Sequence, residues 1–508
     1  MLLMMKMQRL YRNLLVCLVV FPLYLPANNV SLSRLSDLNR LAHDTYYVLE
    51  NDIDLRGNDI ICPHGVYFDF HKGSLLNGTL SGTVKNEYLC PEWFGAKGDG
   101  DNDDTQAIEN AIKSSIKTRT QLYLKGQYKI TRPIFIRHNY NESENSILPP
   151  SLNIVGCSNS QITGDFRNRF ENIPDAAIIA YNLKDGEAAL NLVGDAVVAC
   201  QSNTIRNIAI FCDRNTCSEL SFCMRIGNAD NIYIEKVDFQ GYNNVVIRCG
   251  EADKGNNSEG FIFARGLFQN CRFHTWPYLR NDSDGKKPSS VLYSGKSRFG
   301  FCLINEYFLN YSDVEKASTY DSIKFLCCLF EGSCYLRGNT YFDTCMWNLP
   351  GIYKPIKSKD DRFRFLPFVD TSISLFATRG NFVLDNCHFE DCMKAICIYN
   401  DNINDTYQRL MLTVRNCTIV PWFNYKYVAE GKLMEPEYFL YSNRMPEASM
   451  NYLVNIVNNQ VLYSPERESY NKFLQNEGCR WMYIENNIGI NKSMIFDRLG
   501  TSVINELN

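Results

Sequence analysis

A six-residue pattern recurs through the second half of the chain: an apolar residue, any residue, a turn residue, a small residue or Cys, any residue, an apolar residue. It occupies 205–210, 234–239, 268–273, 325–330, 342–347, 384–389, 414–419 and 456–461, with a looser copy at 483–490. Successive copies end 29, 34, 57, 17, 42, 30, 42 and 29 residues apart. No copy is long enough to enclose a core alone. A period in the twenties to forties belongs to a solenoid, in which each coil is covered by its neighbours. The third place is Asn at Asn207, Asn270, Asn386, Asn416 and Asn458, a residue that tolerates left-handed backbone and whose amide can reach the next Asn along a stack. The pattern therefore predicts strand, turn and strand, with the second and fifth places facing outward. The gap of 57 predicts one more coil near 301–309.

Upstream lies Trp93-Phe94-Gly95-Ala96-Lys97-Gly98-Asp99-Gly100-Asp101-Asn102-Asp103-Asp104-Thr105-Gln106. Ala107, Ile108, Ala111, Ile112 and Ile116 then share one helical face, which predicts an amphipathic helix over 104–117. Asp103 or Asp104 is expected to cap it, with Gln106 completing a capping box. The carboxylate cluster also has a metal-site reading, but its place at a helix start already gives it a structural role.

This stretch resembles the opening motif of the pectate lyase superfamily domain of the rhamnogalacturonase- and epimerase-like type. The resemblance implies an all-β chain, a right-handed single-stranded parallel β-helix whose first coils are capped by the short helix. It does not fix an activity, because the family includes lyases, hydrolases, phage tailspikes and proteins without known activity. Nor does it carry catalytic residues across. The Gly-His-Gly and Arg-Ile-Lys elements of the polygalacturonase branch are missing, and none of the six histidines follows an Asp, as the strand pair of the calcium-dependent lyases requires.

Residues 1–27 read as a signal peptide: Lys6, Arg9 and Arg12, then an apolar run too short for a membrane span, then Ala27. A secreted, periplasmic or cell-surface location follows. Residues 28–92 read as a β-rich cap and first coils, and 93–508 as the β-helix, with long insertions at 276–299, 348–368 and 424–450. Removing the three cations of the signal takes the formal charge from −4 to about −7, which argues against general nucleic-acid binding. Of 20 cysteines, Cys271, Cys328, Cys345, Cys387 and Cys417 all fill the fourth place of the repeat. That is how small buried residues behave, so free thiols are expected rather than a disulfide framework or a zinc site.

The two insertions at 276–299 and 348–368 are each about +3 and carry aromatics, a combination suited to an anionic glycan such as a uronan or a sulfated polysaccharide. Trp276, Tyr353, Lys357, Arg362 and Arg415 are the substrate-binding candidates. Asp343 and Asp385 both occupy the outward second place. If their copies lie in adjacent coils, the carboxylates stack roughly 5 Å apart, with His388 nearby, and can divide acid and base duties. A simple hydrated charge column is the competing reading, and Asp238 with Arg272 forms the fallback site. No cofactor is evident, and calcium is left open. The expected activity is that of a polysaccharide lyase or glycoside hydrolase; the alternative is a non-catalytic glycan-binding or structural protein.

Overall fold

The computed structural model describes residues 29–136 and, from 151 onward, the strands of successive coils with their turns. The main segments outside that description are 1–28, 137–150, 158–174, 250–262, 275–298, 304–321, 349–372, 399–408, 421–427, 443–450 and 463–471. The expected signal peptide, and Trp276, Tyr353, Lys357 and Arg362, lie in those segments.

A full coil has three strands. Gly380–Asp385 turns at Asn386 into His388–Glu390, continues to Lys394–Ile398, and returns one level on as Arg409–Arg415. Each strand pairs in parallel with its counterparts in the coils on either side. The result is a 14-stranded first sheet, which contains Gly380–Asp385, and two 11-stranded sheets, the second through His388–Glu390 and the third through Lys394–Ile398. This is a right-handed parallel β-helix, the hand favoured for a crossover between parallel strands.

The corner between the first and second sheets is the third place of the repeat. Asn207, Lys236, Asn270, Cys327, Thr344, Asn386, Asn416 and Asn458 all have φ between 52° and 56°. Asn suits this left-handed region because its short amide can bond locally. The expected Asn-to-Asn bonding along this column is not what forms where the amide contacts are defined. Asn386 Nδ2 donates to Thr344 Oγ1 at 3.3 Å and Asn416 Nδ2 to Asp385 Oδ1 at 3.0 Å. An Asn ladder appears one place later, where Asn459 Nδ2 donates to Asn487 Oδ1 at 2.9 Å.

The first, fourth and sixth places fill the interior. The sixth supplies a continuous stack, Phe239, Phe273, Phe330, Trp347 and Phe389, with ring centroids 4.8–5.5 Å apart. The first place adds Phe268, Phe325 and Phe342 at 4.9–5.0 Å. Each stacked pair contributes roughly 0.5–1.5 kcal/mol beyond the burial itself. The five fourth-place cysteines are buried and free, as expected.

Two expectations about spacing need correction. The gap of 57 hides no extra coil: Phe263–Gln269 pairs directly with Ile323–Leu326, and Phe299–Leu303 is a third-sheet strand of the intervening coil. The segment 424–450 is not all insertion either, since Tyr438–Ser442 is the third-sheet strand next to Lys394–Ile398.

The first part of the chain is also built of parallel pairs. Val30–Leu32, Tyr46–Leu49, Asp59–Asp69 and Thr79–Val84 form a four-stranded sheet. Helix α1, Thr105–Thr118, buries Ala107, Ile108, Ala111, Ile112 and Ile116. It lies against this sheet, with Ser114 Oγ accepting the Leu80 N–H at 2.9 Å. Its capping meets the expectation at Asp103 but not at Asp104 or Gln106. The carboxylate of Asp104 turns away from the helix to accept the N–H groups of Lys97 and Gly98 at 2.6 and 2.9 Å. Asp103 Oδ1 takes the Thr105 N–H at 3.0 Å, and Gln106 reaches Asn110 instead of closing a capping box. The glycine-rich turn is held by close approach: a Cβ on Gly126 would meet the Gly98 carbonyl oxygen at 2.7 Å.

Candidate active site

Asp343 and Asp385 are register partners on neighbouring strands of the first sheet, with no strand between them. One strand step separates their backbones, roughly 4.8 Å. Both sit just before the left-handed corner, which ends the strand and leaves the second-place side chain on the outer face. The next residue in this column is Arg415.

The two carboxylates have different surroundings. Asp385 Oδ2 accepts from Arg415 Nη2 at 2.7 Å and from the Tyr341 hydroxyl at 3.4 Å, while Oδ1 accepts from Asn416 Nδ2 at 3.0 Å. Its side chain is 18% exposed. The Arg415 guanidinium is the main cause that holds the Asp385 carboxyl below its ordinary range, helped by Asn416 and opposed by partial burial. The same pair raises Arg415, and burial together with the charges of Asp343 and Asp385 raises the Tyr341 phenol. Asp343 Oδ1 accepts from the neighbouring Thr344 hydroxyl at 2.9 Å.

His388 starts the second-sheet strand three residues beyond Asp385, across the corner. Its Nε2 lies 3.4 Å from Glu390 Oε2 and on neither aspartate. The fallback pair is in register too, Asp238 with Arg272. Asp238, expected to face solvent in the fifth place, is instead 1% exposed, and Gln240 Nε2 donates to its Oδ2 at 3.4 Å.

Sequence reasoning missed Tyr341 and Asn416 as partners of Asp385. Arg415, expected as a substrate contact, donates to Asp385 while 47% of its side chain stays exposed. The signal was present: Asp385 and Arg415 fill the same place in successive copies of the repeat, so parallel pairing must stack them. Among the described residues, no group of three or more His, Cys, Asp or Glu side chains is placed to hold a metal ion. The Asp99 carboxylate is taken by the Asp101 and Asn102 N–H groups at 3.0 and 2.9 Å. No helix among the described residues is long and apolar enough to cross a membrane.

Residues 92–275 match the family model described as rhamnogalacturonase A/epimerase, pectate lyase-like. Over that segment the resemblance read from the glycine-rich motif holds. A capsule K30/K69-specific depolymerase of Klebsiella phage K64-1 is 28% identical over 258 residues, which cover 49% of this chain and 27% of the relative. The chain thus spans about a quarter of the length of that curated relative. Two solved structures are similar at 10% identity. The endo-xylogalacturonan hydrolase from Aspergillus tubingensis has a TM-score of 0.41, with 82% of this chain and 95% of that one covered. The enzymatically active domain of bacteriophage CBA120 tailspike protein 2 has a TM-score of 0.43, with 83% and 54% covered.

Proposed function

We propose that this protein is exported and degrades a polysaccharide, binding an acidic or sulfated glycan along the β-helix and cleaving it as a lyase or glycoside hydrolase with Asp343 and Asp385. The register pairing of these two aspartates, with Arg415 bound to only one of them, carries the reading. A cation on one member of a close carboxylate pair separates their proton affinities, which acid–base chemistry needs. Asp385, held ionised, takes the part of base or nucleophile, and Asp343 that of acid. A spacing near one strand step suits a retaining hydrolase, whose carboxyls stand about 5 Å apart. The phage relative, named a capsule depolymerase, supports the polysaccharide class.

One observation favours a second reading, a glycan-binding protein without catalysis. Both oxygens of Asp385 already accept hydrogen bonds from the chain itself. Incubation with uronic-acid and sulfated glycans, followed by 235 nm absorbance for a lyase and by reducing ends for either activity, decides between them. Cleavage that survives undiminished in both Asp343→Asn and Asp385→Asn overturns the assignment of the pair.

A further inference from the structure

The outer face of the first sheet continues past Arg415 for three more strands, and its character changes there. In one register column Met411 is followed by Leu453 and Trp481. In the next, Thr413 is followed by Asn455, Tyr483 and Val503. In the third, Arg415 is followed by Val457 and Glu485. Trp481 and Tyr483 are 49% and 40% exposed, and Met411 and Val503 are also solvent-facing. The two rings leave the same strand two residues apart, so they stand roughly 7 Å from each other on one face. Their strand is the third after that of Asp385, roughly 14 Å along the sheet.

We infer that Trp481 and Tyr483 form a sugar-stacking platform, a second binding site for the polysaccharide on the same face as Asp343 and Asp385. The inference rests on the polysaccharide reading but not on its catalytic pair. A pyranose ring has an apolar C–H face edged by hydroxyls. The platform has the matching character, because Trp and Tyr present a flat apolar body with a polar edge. Thr413, Asn455 and Glu485 lie among the rings as hydrogen-bonding partners. A contiguous exposed apolar patch with a polar surround marks a ligand or partner site. The interleaved Thr, Asn and Glu fit a glycan better than a second copy of this chain, which would need roughly 800 Å² of well-packed surface on each partner. On the strands that follow Arg415 the paired positions of these columns carry no further cation, so the platform grips sugar rings, and any acidic substituent is read nearer Arg415. A chain long enough to reach from Asp385 to Trp481 engages both sites at once.

The test uses the full chain with Trp481→Ala, Tyr483→Ala and the double substitution, run by affinity electrophoresis in gels containing polygalacturonate, alginate or dextran sulfate. Light scattering follows the mass, and thermal melting follows the fold. The expected result is a retarded wild type and a double variant whose affinity falls at least about tenfold, with mass and melting temperature kept. Retardation reads binding without turnover, so the platform survives a failure of the catalytic assignment. Equal retardation of wild type and double variant overturns the platform. So does a wild type that none of the three glycans retards, and so does a double variant of lower mass with unchanged retardation, which would make the patch an interface between copies of this chain.

Discussion

Arg415 Nη2 donates to Asp385 Oδ2 at 2.7 Å, one strand step along the first sheet from it and two from Asp343. This contact makes the two aspartates chemically unequal. Arg415 holds Asp385 below its ordinary value of 3.8, so Asp385 stays ionised to lower pH than a free carboxylate. Replacing Arg415 with Met raises that value toward the ordinary one. If Asp385 must be ionised for cleavage, the acid limb of the pH–rate profile moves to higher pH in Arg415→Met. The contribution to stability has the same sign. It is present above the carboxylate's unfolded pKa and is lost as pH falls through the lowered folded value. Cleavage assays from pH 3 to 7 on both proteins check the shift, and coincident acid limbs would remove Asp385 from the chemistry.

Asp343→Asn and Asp385→Asn are each expected to lower the cleavage rate by roughly 10²–10⁴, the usual contribution of a positioned acid or base. Asp343 lies on the outer face with only the Thr344 hydroxyl as a side-chain contact, so Asp343→Asn should keep its melting temperature, whereas Asp385→Asn weakens the contacts with Arg415 and Asn416 and should lower it slightly. The measurement is initial rate by reducing ends, with a thermal melt as control for folding.

The cysteine column makes a separate prediction. Burial pushes the Cys328 and Cys387 thiols well above the ordinary thiol range, and the column lies inside the coil. A thiol reagent added to native protein should therefore reach exposed Cys157 and Cys327 first, and denaturation without reductant should release the column. Few thiols after denaturation would show disulfides in their place. Cys387→Ala removes a buried sulfur and should cost about 1 kcal/mol, read by denaturant titration.

Coil stacking leaves no room at Gly156. A Cβ there would lie 2.0 Å from the carbonyl oxygen of Asn207, which is backbone of the next corner and cannot move aside cheaply. Gly156→Ala should destabilise by about 1–3 kcal/mol. At Asn386, with φ of 54°, Asn386→Gly should be tolerated, whereas Asn386→Val should cost about 1–2 kcal/mol for left-handed backbone. Chemical denaturation of the three variants separates these outcomes.

The solenoid was legible in the sequence because its code is local. An apolar residue every second position makes a strand, and a left-handed residue at a fixed place ends it. Those constraints act within six residues, so 205–210 and 384–389 could be read by the same rule. Helix α1 was legible for the same reason, through the spacing of Ala107, Ile108, Ala111 and Ile112. Its cap was legible only as a choice between Asp103 and Asp104, because Asp104 is drawn to Lys97 and Gly98 by the fold of the preceding turn, a competition among amides that spacing does not rank. Register needed the tertiary structure. Whether Asp343 met Asp385 turned on how many strands the 42-residue spacing of their copies placed in the first sheet, and the sequence left both answers open. The same holds for the extra coil that the spacing suggested near 301–309, where pairing instead assigns 299–303 to the third sheet. Electrostatics followed register: once parallel pairing set Arg415 beside Asp385, hydrogen bonding rather than composition decided that the Asp385 carboxyl is held below its ordinary range. The chain's own pattern determined strands and corners, because those are short-range steric preferences. The tertiary structure decided which side chains share a face and touch, because that depends on how many residues each coil spends before it returns.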